Sequence, residues 1–212
     1  MWGALALLGA LLLTGCASTV TTDVTAFRQP GWQNDAPRTY SFERSAEQAA
    51  QLDRQTYEQW LAAALAGVGF EQVPARQARY LVSMDYDSAP GLVRVAETVY
   101  PDPWYGPWGP YWGPYWGPGY YRPWGPWGPW GPGYWPPQTV VRDVPVTFSS
   151  LRVYFKDVAS GKRVWQVTAQ NQAENASLPA MMPYLIRSAF TDFPSDSGRP
   201  RRVTLEVEKN AK

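Results

Sequence analysis

The sequence predicts an α+β fold: an antiparallel sheet with two amphipathic helices packed on one face, plus a long disordered Trp/Gly/Pro-rich loop. Three observations predict it. Several segments alternate apolar and polar residues over strand lengths. Two others repeat apolar residues at helical spacing. Most of the chain's abundant Pro, Gly and Trp falls in one stretch between two of the strands. Residues 39–208 are read as a single domain interrupted by an insertion over 89–138. Residues 16–38 are read as a tether with a possible first strand over 20–27.

The elements follow in order. Residues 20–27 are rich in Val and Thr, the composition of a strand. Residues 39–43 alternate, with Tyr40 and Phe42 on one side. Ser45 followed by Gln48 is a capping box, which starts a helix over 46–67. Its stripe is Tyr57, Trp60, Leu61, Ala64, Leu65 and Val68, with Trp60 read as core, and Gly67 and Gly69 supply the stop. Residues 70–73 read as a short strand that Pro74 ends. Residues 79–88 alternate with Val82, Met84 and Tyr86 on one side and Asp85 and Asp87 on the other. A second long alternating segment runs over 139–156. Its inward set changes phase at Ser149 and Ser150, from Val144, Val146 and Phe148 to Leu151, Val153 and Phe155, which predicts a bulge there. A turn over 157–161 leads to a partner strand over 163–170, with Trp165 and Val167 inward. The second helix, over 177–192, carries Met182, Leu185, Ile186, Ala189 and Phe190. Pro179 suits its first turn, Pro183 delays or kinks its start and Pro194 closes it. Residues 202–208 give a last strand with Val203, Leu205 and Val207 inward.

Composition excludes several kinds of chemistry. The 212 residues hold 19 basic and 18 acidic side chains, so no charge excess recommends a nucleic acid. There is no histidine and one cysteine, Cys16. A conventional serine triad, an imidazole metal site and an internal disulfide are therefore all excluded. Asp85 and Asp87 could mimic a carboxylate pair, but a solvated strand face accounts for them. Ser160-Gly161-Lys162 lacks the upstream glycines of a phosphate loop. No catalytic residue, metal site or cofactor is assigned.

The first thirteen residues are apolar, too few for the roughly 20 that a spanning helix needs but suited to a signal peptide. Leu13-Thr14-Gly15-Cys16 then resembles the bacterial lipobox. That resemblance implies a cleaved leader over 1–15, a diacylglycerol thioether on Cys16, and acylation of the new amino terminus, palmitate being the usual chain. Each buried CH₂ adds about 0.8 kcal/mol, so several chains on one residue hold a protein durably. With Ala17 and Ser18 after the cysteine, rather than an inner-membrane retention Asp, the resemblance points to the periplasmic face of the outer membrane.

Residues 101–137 contain Trp-Gly-Pro six times, with eight Trp, six Tyr and only two charges, Asp102 and Arg122. Pro removes amide donors and Gly removes restraint, so turns and polyproline II are expected. Fully extended, the stretch would reach roughly 110 Å, against a radius of gyration near 14 Å for the domain. Trp104, Trp108, Trp112, Trp116, Trp124, Trp127, Trp130 and Trp135 form a possible binding surface. Flat faces with polar tips stack on sugars or settle at headgroups. Peptidoglycan, lipopolysaccharide or another envelope protein are candidate partners. The competing reading is a low-complexity expansion with no fixed task.

The mature chain resembles the bacterial lipoprotein family catalogued as domain of unknown function 4136. The landmarks occur in order: the lipobox at Cys16, Thr39-Tyr40-Ser41-Phe42, Leu65 with Gly69-Phe70, Tyr80-Leu81-Val82-Ser83, Leu151 to Asp157, Gly161 to Trp165, and Asp192-Phe193-Pro194. Members with an aromatic Gly/Pro-rich loop at this place are familiar. The resemblance implies a localisation and a fold but carries no activity. The expectation is a membrane-anchored, non-catalytic envelope lipoprotein, an interaction or assembly accessory, with a peptidoglycan- or polysaccharide-binding module as the alternative.

Overall fold

The computed structural model describes residues 18–32, 36–99 and 138–207. Cys16 and the eight tryptophans of the insertion lie outside the described residues. The strands are β1 (Thr19–Arg28), β2 (Thr39–Phe42), β3 (Glu71–Gln72), β4 (Tyr80–Val99), β5 (Gln138–Asp157), β6 (Arg163–Ala173) and β7 (Arg201–Glu206). Three α-helices are described: α1 (Ala46–Ala50), α2 (Leu52–Gly67) and α3 (Leu178–Phe190). The strand order is β3-β2-β4-β5-β6-β1-β7.

This corrects the expected antiparallel sheet with two helices on one face. The sheet is mixed. β2 runs parallel to both β3 and β4, while β1 is antiparallel to β6 and β7, and β5 to β6. The cause is connectivity: helices α1 and α2 carry the chain back along the sheet between β2 and its two neighbours, and a helical crossover makes parallel strands. There are three helices because the predicted 46–67 helix is broken at Gln51, whose ψ of 121° is extended. The capping box at Ser45 and Gln48 forms as its residues require. The side chain of Gln55 donates to the Ala49 carbonyl at 2.8 Å, which gives the broken end of α1 an acceptor's partner. At the other end of α2, Gly69 takes φ +86° and the Phe70 amide reaches back to the Leu65 carbonyl, a left-handed stop open to glycine.

The chain forms two compact units, residues 1–91 with 146–212, and residues 92–145. In the larger unit the core is built from alternate strand positions: Val24 and Ala26, Tyr80, Val82 and Met84, Leu151, Val153 and Phe155, Trp165, Val167 and Ala169. Tyr57, Leu61 and Leu65 of α2 join them, with Met182, Leu185, Ile186, Ala189 and Phe190 of α3. Its centre is aromatic. Phe155 meets Trp165 edge-on at 5.0 Å and Phe70 at 5.2 Å, and Phe193, just past α3, closes on Trp165 at 4.9 Å. Edge-to-face pairs like these add about 0.5–1.5 kcal/mol each beyond burial.

The predicted change of phase is present, with Val146 and Ser149 both buried, but no bulge interrupts the ladder with β6 there: that pairing is regular from Thr147 to Phe155 and shifts between Phe155 and Lys156. The extra residue lies in β6, where Val164 and Trp165 are both buried in succession. Ser149 is buried in phase with Leu151, and Phe148, expected inward, is 43% exposed. Trp60, expected in the core, is 36% exposed. Helix α3 runs through Pro183 without a later start, beginning at Leu178 after Ser177. The strands continue to Val99 and resume at Gln138, inside the stretch read as insertion. Pro90 and Pro145 are tolerated there because the outer partners have already stopped: β2 pairs with β4 only to Val82, and β6 with β5 only from Thr147. In the smaller unit, Arg94 pairs with Asp143 at 3.4 Å.

Phe155 is fully buried and touches Phe70, Tyr80, Trp165 and Phe193. Phe155→Ala should cost about 3–5 kcal/mol, read as a fall in the urea midpoint with the m-value unchanged.

Candidate functional site

Helix α2 sets one charged face and one aromatic edge against β4. Arg54 and Glu58, one turn apart, are each 5% exposed. The Arg54 Nε donates to Glu58 Oε1 at 3.2 Å, and its Nη2 donates to the Met84 carbonyl at 2.8 Å. Arg44, from the β2–α1 connection, pairs with the second oxygen of Glu58. The buried carboxylate is thus held between two guanidinium groups. That arrangement offsets the cost of burying it, and fixes α2 over β4 by a side chain to backbone bond.

Beside this triad lies a cleft lined by Gln48, Gln51, Asp53, Arg54, Asp85 and Tyr86. The Tyr86 hydroxyl donates to Asp53 Oδ2 at 2.6 Å. This bond is the main cause that holds the Asp53 carboxyl below its ordinary range. Tyr86 is pushed above the usual phenol range, first by burial and then by that same bond, so it remains the donor. Burial, with the Asp53 charge behind it, also raises Tyr57. Asp53, Tyr57 and Trp60 fall on one stripe of α2 by helical spacing. The Tyr57 ring stands edge-on to Tyr86 at 5.0 Å and lies 5.6 Å from Trp60. Together they form a ledge: the exposed Trp60 indole at one end, and at the other the carboxylates of Asp53 and Asp85 with two glutamine side chains. A flat apolar plate next to mixed donors and acceptors matches a sugar ring, which offers an apolar face and hydroxyls that donate and accept.

The predicted site residues divide. Asp85 is exposed and lines this cleft; Asp87 is exposed and lines a separate groove with Asp23, Arg152 and Gln170. Strand alternation sets both on one side of β4, but they belong to different surfaces. Asp53, Tyr86 and Arg54 were missed. The signal was available in the Asp53, Tyr57, Trp60 spacing, which only pairing with β4 turns into a site. Among the described residues no cluster of three or more metal-ligating side chains occurs.

A second polar feature crosses the sheet. Ser149 stands opposite Asn171, which donates to the Thr21 carbonyl at 2.7 Å, and Thr22 follows one step beyond the Asp23–Gln170 pair. Ser149, Asn171 and Thr22 are all buried, and the Ser149 and Thr22 hydroxyls and the Asn171 Oδ1 lack a protein partner.

Because the folded state lowers the Asp53 carboxyl, its bond to Tyr86 contributes stability that is complete above the ordinary aspartate value of 3.8 and is lost as pH falls through the folded value. Tyr86→Phe should therefore destabilise by about 1 kcal/mol at neutral pH, a charge-assisted bond discounted for exposure. In urea titrations against pH, the gap to the parent should close on acidification below that range.

Among curated proteins none matches. Among solved structures, a PDZ domain protein from Parabacteroides distasonis ATCC 8503 superposes with a TM-score of 0.53 at 9% identity. The match covers 95% of this chain and 42% of that one, so this chain spans less than half of that protein, and the likeness concerns the fold alone. A PelC dodecamer from Paraburkholderia phytofirmans gives a TM-score of 0.39 at 12% identity, over 79% of this chain and 94% of that one. A family model matches residues 24–195, which include every element from the middle of β1 to the end of α3. The chain belongs to the family described as Domain of unknown function (DUF4136).

Proposed function

We propose that this protein is a membrane-anchored, non-catalytic envelope lipoprotein that acts as an interaction or assembly accessory at the periplasmic face of the outer membrane. One observation carries the reading: Leu13-Thr14-Gly15-Cys16 directly after an apolar run. Acyl chains on Cys16, palmitate among them, supply the attachment, and the aromatic insertion supplies a contact surface for another envelope protein or lipopolysaccharide. Among the described residues no helix is long and apolar enough to cross a membrane.

A second reading, a module that binds peptidoglycan or another polysaccharide, is favoured by a specific observation. Trp60 is exposed on the same helical stripe as Asp53, joined through the Tyr57 and Tyr86 rings to a cleft that offers Asp53, Asp85, Gln48 and Gln51. Aromatic plate and polar groups together are what a glycan requires.

Two experiments separate these. Fractionation of cells fed labelled palmitate should find the parent labelled and in the membrane fraction, and Cys16→Ser unlabelled and released; retention of the variant in the membrane would refute the anchor. Sedimentation with insoluble peptidoglycan tests the module. The parent should co-sediment and Trp60→Ala should not, whereas equal behaviour of the two removes the ledge as a glycan site.

A further inference from the structure

The lipid anchor proposed above has almost no slack. β1 begins at Thr19, and Ser18 is already fixed, its carbonyl accepting from the Val207 amide at 2.7 Å. Only Ala17 separates Ser18 from Cys16, so the two α-carbons stand at most about 7 Å apart. β1 is laddered along its whole length: Thr19 to Val24 pair with β7, and Asp23 to Arg28 with β6.

That fixes which end of the larger unit meets the lipid. Asp23 faces Gln170, and the register carried forward sets Val20 beside Ala173, which faces Thr147 of β5. Around this end lie Thr19, Glu174, Asn175, Pro179, Ala180 and Glu206, all exposed. They are small or uncharged apart from two glutamates, and among the described residues here none carries a positive charge, so the surface suits zwitterionic headgroups rather than an anionic layer. The opposite end carries the β5–β6 turn with Ser160, roughly 30 Å away along β1.

We infer that the end of the sheet where β1 starts rests directly on the zwitterionic headgroups of the anchoring membrane. The inference rests on the acylation of Cys16; the structure adds the orientation.

The test is thiol labelling of the full-length protein in native membranes with a membrane-impermeant maleimide. The parent should not label, since the thioether consumes its only thiol. Glu174→Cys should label several-fold more slowly than Ser160→Cys, and both should label alike after detergent extraction. A long Gly/Ser spacer inserted after Ala17 should restore fast labelling at Glu174→Cys while the protein stays in the membrane fraction. Labelling of the parent would remove the anchor and the orientation with it. If the parent is silent but Glu174→Cys labels as fast as Ser160→Cys, the anchor stands and the orientation is wrong. Protection that persists with the spacer overturns it too, because the short connection would not be its cause.

Discussion

Closure of the sheet around β1 is the constraint on which the rest depends. The strand nearest the amino terminus of the described chain lies between β6 and β7, whose residues come from the last quarter of the sequence. Its Val24 and Ala26 enter the core, and its backbone pairs first with β7, over Thr19 to Val24, and then with β6, over Asp23 to Arg28. Pairings so distant in sequence carry a large loop-closure cost, and the reward arrives only when the aromatic centre around Phe155 and Trp165 is enclosed. α3, which packs over β1 and β6 and delivers Phe190 and Phe193 to Trp165, supplies much of that reward.

How much of this was legible depended on how local each cause is. The Ser45 and Gln48 box, the inward Trp165 and Val167, and the α3 stripe rest on neighbours a turn or a strand step away, and all appear as their residues require. The parallel pairing of β2 was not legible, because it follows from where the α1–α2 crossover sets the chain down. Trp60 obeys the helical spacing of a core residue, yet the space above β4 is already filled by Tyr57 and Tyr86. Pro90 reads as a strand end in isolation; only the early stop of β2 makes its missing amide harmless. The candidate cleft was half visible: Asp85 was named, while Asp53 and Tyr86 gain meaning only from their 2.6 Å bond across two elements.

The interior also carries more polarity than its hydrophobic pattern announces. Arg54 and Glu58 occupy helix positions that face β4, where apolar residues would bury more cheaply. The Ser149, Asn171 and Thr22 row holds hydroxyls among core positions at about 1–3 kcal/mol for each unpaired group. Hydrophobic packing therefore favours the fold against these groups, while the Arg54 bond to Met84 specifies how α2 is registered on β4.

Pro90 and Pro145 have a consequence for molecules packed side by side. Two long strands that outrun their neighbours offer free backbone amides and carbonyls, the template on which strangers add and fibrils grow. Each proline deletes a donor from one of those rows, and the charges of Arg94, Glu97, Arg142 and Asp143 repel or misalign an incoming strand. A molecule packed against copies of itself would otherwise be exposed to such zippering. The projecting ends of β4 and β5 carry their own insulation.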